Sequence, residues 1–181
     1  HYVVAQYHEW WVCLAEKNTE NLHALMQNIS LLGMVRRTTG CENYSDLWLI
    51  VPGMALFALP YLRFSQYKHL AFREAILASV LMFIILFSTG SESSGYIIAL
   101  LGAAIWYVSA SFERGKWAVW LMVFVFILSG MGNRDLIPKA IRTAIIQPYA
   151  LRALPISLLW FCLCYELYTK DYAPLNENSH E

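Results

Sequence analysis

The chain has 181 residues, of which 58% are hydrophobic and 14% are charged, and its formal net charge is +0. Soluble domains carry about 25% charged residues, so the apolar excess predicts an integral membrane protein. The balanced charge argues against a nucleic-acid binder, and four scattered cysteines argue against a disulfide-stapled secreted domain.

Residues 1–45 are predicted to form an external or interfacial helical segment. An aromatic stretch comes first, and apolar residues then recur at helical spacing from Leu22 to Gly33. One interpretation is an amphipathic helix whose polar face meets water. The other is a shelf of amides and hydroxyls for a hydroxyl-rich ligand, with arginines for a phosphate. The side chains of that shelf would be Gln27, Asn28 and Ser30, followed by Arg36 and Arg37.

Residues 46–168 contain five long apolar runs. A helix needs about 20 mainly apolar residues to cross a bilayer, and each run approaches that length. They predict an all-α fold, a polytopic transmembrane helical bundle of about five spans, followed by a polar C-terminal tail at 169–181. The runs are Leu47–Leu62, Ala75–Thr89, Gly95–Phe112, Trp117–Met131 and about Leu151–Leu167.

The apolar runs also carry signals for packing and charge. Ala99, Gly102 and Ala103 follow one another at i, i+3 and i+4, which predicts a face that approaches a neighbouring helix closely. Arg152 and Glu166 stand near the two ends of the fifth run, where long side chains would reach the headgroup region.

A basic stretch precedes the fifth run. Lys139 and Arg142 lie in a segment without acidic residues that ends near Pro148, which is typical of a short helix on a membrane surface. The stretch would either anchor the chain to lipid headgroups or hold the phosphate of a lipid carrier.

Three segments resemble the glycosyltransferase family 87, polytopic enzymes related to bacterial polyprenyl-phosphate-mannose-dependent transferases. Gln27–Arg37 is similar to the family's N-x-S-L-x-G-x-x-x-R stretch, and Glu92–Ala99 to its E-S-P-x-Y-x-I-A stretch, with Ser94 in place of the proline. Asp135–Pro138 together with Pro148–Pro155 resembles the version found in Bacteroidetes-type bacteria. The similarity covers about residues 20–168, in consistent order.

The resemblance implies transfer of a hexose from a polyprenyl-phosphate donor to an acceptor hydroxyl on the outer face of the bacterial plasma (inner) membrane. It implies that the chain is the C-terminal portion of a longer protein, because the family's general base lies in an early external loop that has no counterpart here. No catalytic residue is therefore carried over. No metal ligand or cofactor is predicted either, because the polyprenyl phosphate would leave as a stabilised anion. The candidate contacts are Gln27, Asn28, Ser30 and Glu92 for the substrate, and Arg36, Arg37, Lys139 and Arg142 for the lipid phosphate.

The predicted partners are a polyprenyl-phosphate-linked sugar, membrane lipids and the N-terminal part of the same protein, with no nucleic acid. The alternative hypothesis is a non-enzymatic multi-span membrane scaffold or a subunit of a polysaccharide export or assembly system. The same apolar runs without a buried charge at mid-membrane are compatible with that role.

Overall fold

The computed structural model describes residues 2–23, 27–41, 44–132 and 137–173, and within these ranges every regular element is a helix. This agrees with the all-α part of the predicted fold. The helices are α1 (Tyr2–His23), α2 (Leu31–Thr39), α3 (Leu47–Ala58), α4 (Leu70–Leu86), α5 (Tyr96–Val108), α6 (Lys116–Phe124), α7 (Lys139–Ile141) and α8 (Ala153–Thr169). Two 3₁₀ turns follow α3, at Leu59–Leu62 and Phe64–Lys68, and π-helical turns follow α6 and α7, at Val125–Gly130 and Arg142–Ile146.

The predicted transmembrane bundle is wrong. In the part of the chain that the structure describes, no helix combines the length and the apolar composition needed to cross a membrane. The same finding contradicts the predicted location as an integral protein of the bacterial plasma membrane.

The physical reason is that the apolar runs are longer than the helices they form. The first run changes from α-helix to a 3₁₀ turn at Leu59, before Pro60, and the fourth changes to π-helix at Val125. The third run forms a helix of 13 residues. Even α4 and α8, with 17 residues each, reach about 26 Å at 1.5 Å per residue, less than the thickness of the hydrocarbon core.

The predicted amphipathic helix from Leu22 to Gly33 is also wrong as a continuous element. Helix α1 ends at His23, and the chain is irregular at 27–30 before α2 begins. Asn28 has a φ of 52°, in the left-handed region, and this interrupts any helix through that position. Residues 24–26 of the predicted helix and 174–181 of the predicted polar tail lie outside the described residues.

The core of the structure is the packing of α4 against α5 and α8. Ala99, Gly102 and Ala103 of α5 are all buried, as their spacing predicts. A Cβ atom on Gly102 would lie 2.9 Å from the carbonyl oxygen of Ala78 in α4, so only glycine allows this approach. Helix α8 also packs on α4, where the indole of Trp160 donates a hydrogen bond to Ser79 at 3.1 Å.

A buried charge network joins α5, α8 and the segment after α5. Arg114 donates to both carboxylate oxygens of Glu166, at 2.8 and 2.6 Å, and the indole of Trp106 donates to the same carboxylate at 2.7 Å. The guanidinium also lies 4.2 Å from the centroid of the Trp106 ring. Glu166 is 4% exposed. Its predicted position at the end of a span, with its head reaching outward, is therefore wrong.

The network makes a stability prediction. Glu166→Gln leaves the Arg114 guanidinium buried without its carboxylate, and we expect the free energy of unfolding to fall by about 3 kcal/mol. Urea denaturation followed by circular dichroism measures the change. Glu113→Gln, at an exposed position one residue before Arg114, is the matched control and should change the stability by less than about 0.5 kcal/mol. Equal stability of the two variants would contradict a structural role for this ion pair.

Candidate functional site

Two of the three segments that carry the family resemblance are joined by direct hydrogen bonds. The side-chain amide of Gln27 donates to the carboxylate of Glu92 at 3.3 Å. Next to it, the backbone N–H of Ile29 donates to the carbonyl of Ser91 at 2.9 Å, and the Tyr96 hydroxyl donates to the carbonyl of Ile29 at 2.9 Å. The irregular stretch at 27–30 therefore lies along the turn that joins α4 to α5.

Arg37 of the first segment contacts Gln147, the residue before Pro148 of the third segment, and Arg152 of the third segment contacts Ser93 of the second. The guanidinium of Arg37 donates to the carbonyl of Gln27 at 2.8 Å and to the carbonyl of Gln147 at 3.1 Å. Burial lowers the pKa of Arg37, but an arginine stays charged at any physiological pH. We use the name polar junction for the set of Gln27, Arg37, Glu92, Ser93, Gln147 and Arg152.

Arg152 was missed as a site residue by the sequence analysis, which predicted that it would reach outward from the end of a span. It is 4% exposed, and its guanidinium donates to the Ser93 hydroxyl at 2.6 Å and to the carbonyl of Ser129 at 2.7 Å. It also lies 4.7 Å from the centroid of the Tyr96 ring. Its pKa is lowered by burial, and no carboxylate of the described ranges is within ion-pair distance of it. The sequence does contain one signal for its burial, because this arginine lies among apolar residues at the start of α8.

Asn28 and Ser30, two of the predicted substrate contacts, shape the start of α2. Both are fully buried, and the Ser30 hydroxyl donates to Asn28 Oδ1 at 2.7 Å. The same hydroxyl accepts the backbone N–H of Gly33 at 3.1 Å, which is the N-cap bond of α2. A Cβ atom on Gly33 would overlap the carbonyl oxygen of Asn28, so this turn needs glycine there. These two side chains lie beneath the polar junction and do not face solvent.

Arg36 points away from Arg37, because successive residues on a helix are about 100° apart. Its guanidinium donates to Asp46 at 2.7 Å and lies 4.7 Å from the centroid of the Tyr44 ring. Burial, reinforced by the charge of Asp46, raises the pKa of Tyr44 to about 12, so its hydroxyl stays protonated and donates to the carbonyl of Leu32. The predicted pair of phosphate contacts is thus divided between two sides of α2.

Lys139 and Arg142 lie on the basic segment that leads to the polar junction. Lys139 is exposed at the start of α7, and Arg142 is partly exposed at the start of the π-helical turn. The backbone N–H of Gln147 donates to the carbonyl of Arg142 at 2.9 Å, at the end of that turn. Because Gln147 is the residue that Arg37 contacts, the predicted cations Arg37 and Arg142 belong to one continuous region of the fold.

Comparisons with known proteins add no assignment. No protein-family model matches the chain, and no curated protein and no solved structure is significantly similar to it.

The cap of α2 makes the second stability prediction. Ser30→Ala removes the acceptor for the N–H of Gly33 and the donor for Asn28, and we expect the free energy of unfolding to fall by about 1–2 kcal/mol. Thermal unfolding would measure it, with Ser94→Ala at an exposed position of the α4–α5 turn as the control. An unchanged stability for Ser30→Ala would contradict this role for the hydroxyl and return Ser30 to the candidate ligands.

Proposed function

We propose that the protein is a hexosyltransferase that takes its sugar from a polyprenyl-phosphate donor and passes it to an acceptor hydroxyl. The observation that supports this is the meeting of the three resembling segments in the polar junction. Residues 65 and 59 positions apart in sequence have no local reason to touch, yet Glu92 contacts Gln27 and Arg152 contacts Ser93. A substrate that needs residues from all three would require this arrangement.

In the proposed reaction, the basic side chains would contact the phosphate, and Glu92 and Gln27 would contact the sugar. The acceptor oxygen attacks the anomeric carbon, the bond from that carbon to the phosphate oxygen breaks, and the lipid phosphate leaves with the bonding electron pair. The acceptor's proton passes to a general base, a role that the resemblance assigns to no residue of this sequence. Cations stabilise the departing phosphate by neutralising its charge, so no metal is required in principle. Arg142 and Lys139, which are at least partly exposed, are the side chains for that task.

Glu92 and Gln27 suit the sugar. An exposed carboxylate and an amide 3.3 Å apart together offer acceptors and donors to the hydroxyl groups of a hexose. Glu92 is proposed here as a substrate contact and not as the general base. Arg37 and Arg152, whose guanidinium groups are occupied by carbonyl and hydroxyl oxygens, hold the junction together.

A transfer assay tests the proposal. The full-length protein is incubated with labelled polyprenyl-phosphate hexose and an acceptor glycan, and we expect label to appear in the acceptor. Arg142→Ala and Lys139→Ala should each lower the rate by about tenfold, the effect of losing one charge-assisted contact to phosphate. Arg73→Ala and Lys68→Ala, at exposed positions of α4 and the preceding turn, are the controls matched in residue type.

The outcomes of this assay distinguish the transfer activity from the proposed phosphate-binding role of Arg142. Absence of transfer from every polyprenyl-phosphate hexose tested, with folded protein, would refute the enzymatic proposal. Transfer that falls equally in the Arg73→Ala control would leave the activity in place and remove the phosphate role of Arg142.

A second candidate is a non-enzymatic subunit of a polysaccharide assembly system, and the exposed surface of α1 favours it. Tyr7, Trp10 and Trp11 are 59–68% exposed on this helix, and large exposed aromatic groups are typical of interaction surfaces. This candidate predicts no transfer in the assay above, together with loss of polysaccharide assembly in cells that carry Trp10→Ala and Trp11→Ala.

A further inference from the structure

A cleft of about 540 Å³ lies between the end of α1, the start of α3 and the turn that follows α4. Its volume is in the range of small-molecule sites. Five polar side chains line it, and they come from three separate parts of the sequence. They are Asn18, Ser45, Asp46, Ser88 and Thr89.

The rest of the lining is apolar. Leu32, Leu47, Ile50 and Phe87 complete the cleft, and Leu32 is fully buried beneath it. The ring of Phe87 is held in place by stacking on Phe83, with 4.5 Å between the ring centroids. A ligand would therefore meet both hydrogen-bonding groups and hydrocarbon, including an aromatic ring.

The polar side chains retain capacity for a ligand. The Thr89 hydroxyl donates to Asn18 Oδ1 at 2.6 Å, which orients the amide so that its Nδ2 is the remaining donor. This nitrogen makes no hydrogen bond to the described residues. Asn18 is exposed, so this donor is open to a ligand that enters the cleft.

The electrostatics select against a charged ligand. Asp46 is the one ionisable side chain among the described residues that line the cleft, and Arg36 neutralises it at 2.7 Å. The lining of the cleft thus has no net charge once Arg36 is counted, and it offers amide, hydroxyl and carboxylate oxygens to a ligand. A pyranose has a rim of hydroxyl groups and faces of C–H groups, so both sets of lining residues complement it.

We propose that this cleft binds a neutral pyranose sugar. Resting on the proposed function, it is the site of the acceptor sugar. The turn that contributes Ser88 and Thr89 continues within three residues to Glu92, and Leu32 belongs to the same helix as Arg37. The cleft and the polar junction therefore border the same turn of the chain.

Binding is tested in the absence of any donor, by saturation-transfer NMR and titration with a panel of methyl pyranosides and the corresponding hexose 1-phosphates. We expect at least one neutral pyranoside to bind and no phosphate to bind more tightly. Thr89→Val keeps the volume and removes the hydroxyl, which should raise the Kd about fivefold. Ile50→Phe fills the cleft and should raise the Kd by more than about tenfold.

Matched controls are available on exposed positions elsewhere. Thr169→Val removes a hydroxyl that bonds only to the carbonyl of Tyr165 in its own helix, and Ile84→Phe adds the same bulk on a residue that is 53% exposed. Both should leave the Kd unchanged within about twofold. Failure of every neutral pyranoside to bind the folded protein, or equal Kd values in the cleft variants and the controls, would overturn the proposal.

The two proposals fail in different ways. Sugar binding that the cleft variants weaken, without any hexose transfer, refutes the enzymatic function and keeps the cleft. Transfer whose KM for the acceptor is unchanged in Thr89→Val and Ile50→Phe keeps the enzyme and refutes the cleft as its acceptor site.

Discussion

Gly102 of α5 lies so close to α4 that any larger side chain would meet the carbonyl of Ala78, and this contact fixes the two helices as a rigid pair. The turn between them, residues 87–95, is consequently held at both ends. It carries Thr89 and Ser88 on the side of the cleft and Glu92 and Ser93 on the side of the polar junction. The positions of both candidate sites thus depend on the packing of α4 against α5.

Buried charges reinforce the arrangement where helix packing alone would leave polar backbone unsatisfied. Arg152 donates one hydrogen bond to the carbonyl of Ser129, at the end of a π-helical turn, and another to the hydroxyl of Ser93 in the α4–α5 turn. Glu166 similarly ties α8 to Arg114 and Trp106. Such groups are expensive to bury, and each is acceptable because several hydrogen bonds offset its desolvation. They define which surfaces of the helices meet.

The sequence predicted local features well where a short pattern determines them. The spacing of Ala99, Gly102 and Ala103 correctly indicated a close helix contact, and the apolar runs correctly indicated helices. The prediction failed where an apolar run continues past the point at which its α-helix ends. Side-chain polarity averaged along a run does not register the change of helix type at Leu59 or Val125, and it cannot distinguish an arginine that reaches outward from one that is buried, such as Arg152. The cleft escaped prediction because its lining residues are brought together only by tertiary packing.

Helix α2 separates two electrostatic environments, and this follows from the consecutive arginines at its end. Arg36 is directed to Asp46, so the cleft beside it carries a neutral ion pair. Arg37 is directed to Gln27 and Gln147, so its charge is added to the region that contains Arg142 and the buried Arg152. In the proposed transferase, an anionic donor and a neutral acceptor would have to be kept from competing for one site. With the neutralised Arg36 on one side of α2 and Arg37 on the other, the two sides would favour different ligands without any movement of the backbone.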